Sequence, residues 1–327
     1  MSESDDDLFA EDPNATTAAA NAFGLLLHET EAEQQLPDSD EGWRDRLLAA
    51  SEDLTLDACS MGDSGATQLA SALAAGHGRA LVSLALDSND IGDTGARALA
   101  VAFGSVGALP RLERLFLSHN SISGACIGEL VGAVAPSGGV AQLCSLDLNG
   151  NPLGDQGLAA LGAAVASGCL QQLVKLFLDR AQIGDDGLTS FSASMRSAPS
   201  LLPKLYELWL SNNRLRARGA TELFAAFADG ALATLGDLRL QFNGIGNAGI
   251  DALVAALERG ALRNAWYLGL SDDAVLTDDG LRTLEASVAS GALPRLEFLT
   301  ASGPHTSDAA RRSVQDAFTN RPRPART

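Results

Sequence analysis

A Leu-x-Leu pair returns along this chain at a near-constant interval. It occurs at Leu54/Leu56, Leu84/Leu86, Leu115/Leu117, Leu146/Leu148, Leu176/Leu178, Leu208/Leu210, Leu238/Leu240 and Leu268/Leu270, and a degenerate ninth copy starts at Leu299. The successive steps are 30, 31, 31, 30, 32, 30, 30 and 31 residues. A period of this length, held so often, confines the fold. Each unit is one supersecondary module that buries its apolar face only by stacking on its neighbours. Within a unit, Leu-x-x-Leu-x-Leu alternates apolar and outward positions, which predicts a short strand with one buried face. Five residues after the first Leu of a pair stands Cys59, Asn89, Asn120, Asn151, Asn213 or Asn243. A small side chain able to bond to backbone suits the tight turn that leaves a strand. Helical patterns follow, such as GATQLASALAAG and GIDALVAALERG, many of them ending at a Gly (Gly76, Gly168, Gly230, Gly260, Gly291) able to take a left-handed conformation. Asp63, Asp93, Asp155, Asp185 and Asp279 stand just before or at these helices and are expected to cap their N termini rather than to bind metal.

The period also disposes of a nucleotide-binding motif. Leu238 to Leu257 reads LRLQFNGIGNAGIDALVAAL, placing Gly244-x-Gly246-x-x-Gly249 between a strand and a helix. That is the arrangement of a dinucleotide phosphate loop. Gly246 and Gly249 align, however, with Gly92 and Gly95 in one unit and with Gly154 and Gly157 in another. Only Gly244 is peculiar to this copy, its slot holding Asp90 and Pro152 elsewhere. The glycines are punctuation of the repeat.

LERLFLSHNSI (Leu112 to Ile122) and LYELWLSNNRL (Leu205 to Leu215) fit LxxLxLxx(N/C)xL, and the pattern resembles the leucine-rich repeat. The length of the unit and its [IL]-G-D-x-G signature are similar to the ribonuclease-inhibitor-like subclass, which includes ribonuclease inhibitor, Ran GTPase-activating protein and NOD-like receptor repeat domains. The resemblance covers roughly residues 50–303 and implies an α/β fold, a right-handed βα solenoid. In that horseshoe about nine repeats of 30–32 residues form a parallel concave sheet backed by convex helices. Departures are local. Ala181 and Asp273 replace the turn Asn, Cys126 takes a Gly slot, the chain has four Cys where ribonuclease inhibitors are Cys-rich, and the acidic run precedes the repeats, whereas in Ran-activating proteins it follows them.

Three regions are expected: an acidic, disordered leader over 1–38, the solenoid over 39–320, and a Pro/Arg-rich tail over 321–327. Because a solenoid must cover its end repeats, capping helices are expected at about 40–50, using Trp43, Leu47 and Leu48, and at about 307–318, using Val314 and Phe318. Residues 1–42 hold twelve Asp or Glu and no Lys or Arg, leaving about −6 of the formal −18 for the rest. An acidic body repels phosphate backbones, so nucleic acid is excluded as a partner. No apolar run is long enough to span a bilayer. Cys59, Cys126, Cys144 and Cys169 lie far apart without CxxC spacing and read as thiols of a reducing compartment, placing the chain in the cytoplasm.

Function is therefore sought on the sheet. Nine strands at about 4.8 Å make a face about 38 Å across and on the order of 600 Å², comparable to the roughly 800 Å² that one partner gives to a standard protein interface. It is too open for a small-molecule substrate. Alternation turns Thr55, Ala85, Phe116, Asp147, Phe177, Trp209, Arg239 and Gly269 outward, with Arg114, Lys175, Asp179, Glu207, Gln241 and Tyr267 beside them. Aromatic and Arg side chains dominate binding energy at interfaces. The expected contact set is Arg114, Phe116, Asp147, Lys175, Phe177, Asp179, Arg180, Glu207, Trp209, Arg239, Gln241 and Tyr267. In it the aromatics anchor a partner, while Arg114, Lys175, Arg180 and Arg239 meet its acidic groups. No GK[ST], GxSxG or HExxH occurs, and the four His (His28, His77, His119, His305) are scattered, so the chain is read as non-enzymatic, with no cofactor and no metal. The expected function is a protein-interaction scaffold, alone or as a subunit of a larger complex. The alternative is activation of a Ran-type GTPase in trans, with Arg180 and the NRLRAR loop (Asn213 to Arg218) as rim candidates. Further readings are a ribonuclease-inhibitor-like inhibitor and an innate-immune-type sensor arm.

Overall fold

A computed structural model describes residues 42–134, 140–198 and 200–321. The acidic leader expected over 1–38 and residues 322–327 of the expected tail lie outside the described residues. Nine strands, β1 (Asp53–Thr55), β2 (Ser83–Ala85), β3 (Arg114–Phe116), β4 (Ser145–Asp147), β5 (Lys175–Phe177), β6 (Glu207–Trp209), β7 (Asp237–Arg239), β8 (Tyr267–Leu270) and β9 (Phe298–Ala301), form one sheet in sequence order. Among the described residues ten helices accompany them: α1 (Gly42–Ala49), α2 (Gly62–Ala74), α3 (Asp93–Gly104), α4 (Gly124–Gly132), α5 (Gly154–Ala166), α6 (Asp185–Ser197), α7 (Ala217–Ala228), α8 (Gly246–Glu258), α9 (Asp278–Ala289) and α10 (Asp308–Asn320).

Every strand pair is parallel, and each pairs Leu on Leu, from Leu54↔Leu84 to Leu268↔Leu299. Holding one register keeps each leucine column on the buried side, since a slip by one residue would turn the column to solvent. From Leu54 to Leu270 no member of either column is more than 3% exposed. Helix side chains such as Leu69, Phe103, Phe191 and Phe224 complete the core at no more than 1% exposure. Each large apolar side chain buried this way contributes about 1.5–3 kcal/mol. Five glycines that close helices, Gly76, Gly168, Gly230, Gly260 and Gly291, take the left-handed conformation at φ 84–94°. At the two ends, α1 buries Trp43 and Leu47 and α10 buries Val314 and Phe318, whereas Leu48 stays 68% exposed. Arg321, assigned to the tail from sequence, is buried, its guanidinium donating to the Phe318 and Leu296 carbonyls.

The turn asparagines join repeats as well as closing turns. Asn120 Oδ1 accepts the N–H groups of Asn89 and Ile91 at 3.0 Å each, while its Nδ2 donates to the Leu86 carbonyl at 2.9 Å and to the Leu117 carbonyl at 3.0 Å. Asn89, Asn151, Asn213 and Asn243 bridge in the same way. At Ala181 no such amide exists, and in the preceding repeat the Leu153 N–H donates instead to the Asn151 carbonyl at 2.8 Å.

The aspartate column is corrected in one respect. These carboxylates cap the next repeat's helix rather than their own. Asp63 Oδ1 accepts from Gly92 N–H at 2.7 Å and Gly95 N–H at 2.9 Å, Asp155 from Gly184 at 2.6 Å, and Asp185 from Arg216 at 2.8 Å. Near α9 the capping residue is Asp278, which accepts from Ser307, and Asp279 instead pairs with Arg282. The suspected phosphate loop is filled in this manner. Gly246 sits at φ +62° at the start of α8, and the Asp273 carboxylate accepts from Ile245 N–H at 2.5 Å and Gly246 N–H at 3.1 Å. The chain's own anion occupies the helix N terminus.

Asn120→Ala strips partners from two buried N–H groups and two carbonyls at one inter-repeat joint. A loss of about 2–5 kcal/mol is expected, read as a lower urea midpoint. Exposed Asn212→Ala, one residue from another turn Asn, should stay within about 1 kcal/mol.

Candidate functional site

Constant register sets the outward side chains of β1–β9 in rows across the sheet. One row runs Phe116, Asp147, Phe177, Trp209, Arg239, Gly269, and the next runs Arg114, Ser145, Lys175, Glu207, Asp237, Tyr267, Phe298. Phe177 packs on Trp209 with ring centroids 4.2 Å apart. The Arg239 guanidinium lies 3.8 Å from the Trp209 ring centroid and 4.9 Å from that of Tyr267, a cation held between two π-faces. Tyr267 continues to Phe298 at 6.3 Å. The Gln241 amide lies over Gly269, in space that a Cβ there would take. Gln241 Nε2 in turn donates to the Tyr267 hydroxyl at 3.0 Å.

Polar residues just beyond the strands make a second ladder. Asp57 accepts from Asp87 N–H at 2.9 Å, Asp87 from Ser118 at 2.6 Å, Asn149 from Asp179 at 2.6 Å, and Asp179 from Ser211 at 2.6 Å. Holding carboxylates this close has an electrostatic consequence. Burial, followed by repulsion from Asp87 and Asp179, pushes the Asp147 carboxyl up to about 7. Burial pushes Asp179 up to about 6, against the Ser211 bonds and the Arg239 and Arg180 charges. Burial also raises Asp237, opposed by its contact with Arg239. Among the described residues no group of three or more His, Cys, Asp or Glu is disposed to hold a metal ion.

Within these nine modules in one register, the family profile described as Leucine Rich repeat matches residues 79–100, 143–162 and 231–254. Those three segments are leucine-rich repeats. Among solved structures, internalin C2 from Listeria monocytogenes str. 4b F2365 is similar at 18% identity, covering 73% of this chain and 85% of its own, with a TM-score of 0.45. The leiomodin-1 actin-binding site 2 is similar at 15% identity over 48% of this chain and 85% of its own, with a TM-score of 0.39. No curated protein sequence matches the chain.

Of the residues expected to make contact, this leucine-rich repeat sheet gathers eleven on its open face or the edge just beyond the strands, while Arg180 sits apart on an exposed turn at φ +56°. Two expectations need revision. Phe177 is only 7% exposed, because Trp209 covers it. Three of the four expected cations are satisfied within the chain: Arg114 pairs with Asp53 at 3.0 Å, Lys175 with Glu207 at 2.9 Å and Arg239 with Asp237 at 3.0 Å. Sequence reasoning passed over Trp266 and Phe298, whose rings meet edge-on at 5.8 Å, and Tyr206, which is 39% exposed and lies over Gly236. A signal was present. Both tyrosines and two of the three tryptophans fall between residues 206 and 267.

A carboxyl whose pKa is higher folded than unfolded still binds its proton in the fold after the unfolded chain has released it. That contribution is full below about pH 4 and is lost as pH rises through about 6 and 7, the values for Asp179 and Asp147. Each pKa unit corresponds to about 1.4 kcal/mol. The protein should therefore melt at lower temperature at pH 8 than at pH 5, and Asp147→Asn should raise the pH 8 melting temperature and flatten the profile. Calorimetry across that range checks both.

Proposed function

We propose that this chain is a non-enzymatic recognition scaffold that takes a protein partner on the open, concave face of its sheet. The observation that carries the reading is the aromatic row Phe177, Trp209, Arg239 and Tyr267, continued by Phe298, in a chain that spends only 5% of its residues on aromatics. Trp, Tyr and Arg are the side chains that dominate interfaces when they are already held rigid, since little entropy is lost on contact. Phe177 and Arg239 act here as supports that fix the Trp209 and Tyr267 rings.

Partner chemistry follows from the charges left over. Arg114, Lys175 and Arg239 are neutralised at home, while Asp147 and Asp179 form no ion pair among the described residues and are held at raised pKa. The face therefore suits a partner that presents an apolar side chain to Trp209 and Tyr267 and a Lys or Arg toward Asp147 and Asp179. Unpaired thiols at Cys59, Cys126, Cys144 and Cys169, with burial and Asp93 pushing Cys126 up to about 12, support a cytoplasmic setting. No helix among the described residues is long and apolar enough to cross a membrane. The period of 30–32 residues, with an α-helix in each unit, supports a place in the ribonuclease-inhibitor-like subclass.

Trp209→Ala and Tyr267→Ala are expected to keep the circular dichroism spectrum and to lose the proteins retained by the wild-type chain in affinity purification with mass spectrometry. Full retention of the same proteins by the double variant would remove the open face from consideration. Activation of a Ran-type GTPase in trans keeps one supporting observation, the exposed Arg180, Arg214 and Arg216 on the rim. A single-turnover GTP hydrolysis assay with Ran separates the two readings, the scaffold predicting an unchanged rate.

A further inference from the structure

Away from the open face, the turns that follow β6, β7 and β8 enclose an open groove of about 320 Å³. It is lined by Arg214, Arg216, Phe242 and Ala274, with Leu215 and Gly244 and the turn residues Asn213 and Asn243. Part of this lining is held in place by the chain itself. Gly244 N–H donates to the Leu215 carbonyl at 2.8 Å, and Leu215 N–H donates to Asn243 Oδ1 at 3.2 Å. The groove thus exists before any ligand arrives.

Phe242 lies outside the hydrophobic core. It occupies the left-handed slot just before the turn Asn, at φ +56°, and its ring is 52% exposed. Other repeats place Ala58, Ser88, His119, Gly150, Arg180, Asn212 and Asp272 there, none of them a large apolar residue. A Phe in that slot bears the left-handed backbone cost common to non-glycine residues and adds the cost of an apolar ring in water. Val275, 54% exposed on the next turn, enlarges the apolar surface. The charges around it run against the character of the chain. Within a formal net charge of −18, Arg214 and Arg216 are exposed and form no ion pair among the described residues, Arg214 making only a 3.4 Å contact with the Gln182 amide. Arg180 stands exposed on the adjacent turn, also without an ion pair among the described residues.

We propose that this groove docks an extended acidic peptide segment of a partner protein, with one bulky apolar side chain seated against Phe242 and carboxylates on Arg214 and Arg216. A volume near the lower end of ligand-sized pockets accommodates one such side chain. Paired guanidinium groups beside it select carboxylates and reject basic sequences. This site is separate from the open face, and its basic rim complements a partner of the opposite character.

Fluorescence anisotropy of the full chain with a labelled peptide, a single Phe flanked on both sides by Glu and Asp, tests the proposal. Saturable, salt-sensitive binding is expected, weakened about tenfold, or about 1.4 kcal/mol, by Phe242→Ser and likewise by Arg216→Glu. Phe242→Ser keeps the fold because Ser88 fills the same slot. Trp209→Ala should leave the affinity unchanged, so that failure here and failure of the open-face reading are told apart. The proposal is overturned by absence of binding, by equal binding of a peptide with Lys in place of the acids, or by affinity that survives both groove substitutions.

Discussion

Backbone groups at the joint between repeats have no water to turn to, and the side chain that serves them must come from the neighbouring unit. This requirement shapes the whole molecule. Three-residue strands supply too few ladder bonds to define a stack by themselves. The Asn amides therefore take N–H groups of the unit before them while giving their own to carbonyls on both sides of the joint. The aspartates at the helix starts do the same on the outer layer, each closing the following helix. Stability is then held between repeats rather than within them, which is why a single module has no independent fold.

The same serial bonding prepares the open face. Keeping every strand in one register sets side chains thirty residues apart within contact distance, so that Phe177 meets Trp209 and Trp209 meets Arg239. It also forces Asp87, Asp147 and Asp179 into one strip, where their mutual repulsion adds to burial. The fold tolerates that cost because the leucine columns beneath are fully buried.

Period, strand positions, turn residues and helix ends were all legible in the sequence, because each depends on residue type at a fixed spacing. Leu pairs read as one buried face, Asn as a turn, and Gly76 or Gly168 as a left-handed stop. The outward position of Trp209 and Arg239 followed from simple alternation. Their partners did not. That Arg239 turns back to Asp237, that Lys175 is claimed by Glu207, and that Phe177 is roofed by Trp209 depend on which rotamers fit between neighbouring strands.

Sequence alone thus determined the repeat, the single parallel sheet and which side chains leave its buried side, since a periodicity of apolar residues dictates what must be covered. Only the tertiary structure decided where each charge and helix end finds its partner. Asp63 reaches Gly92 and Asp273 reaches Gly246 across repeat boundaries, and such contacts are set by the stacking distance between modules, a quantity that no local pattern encodes.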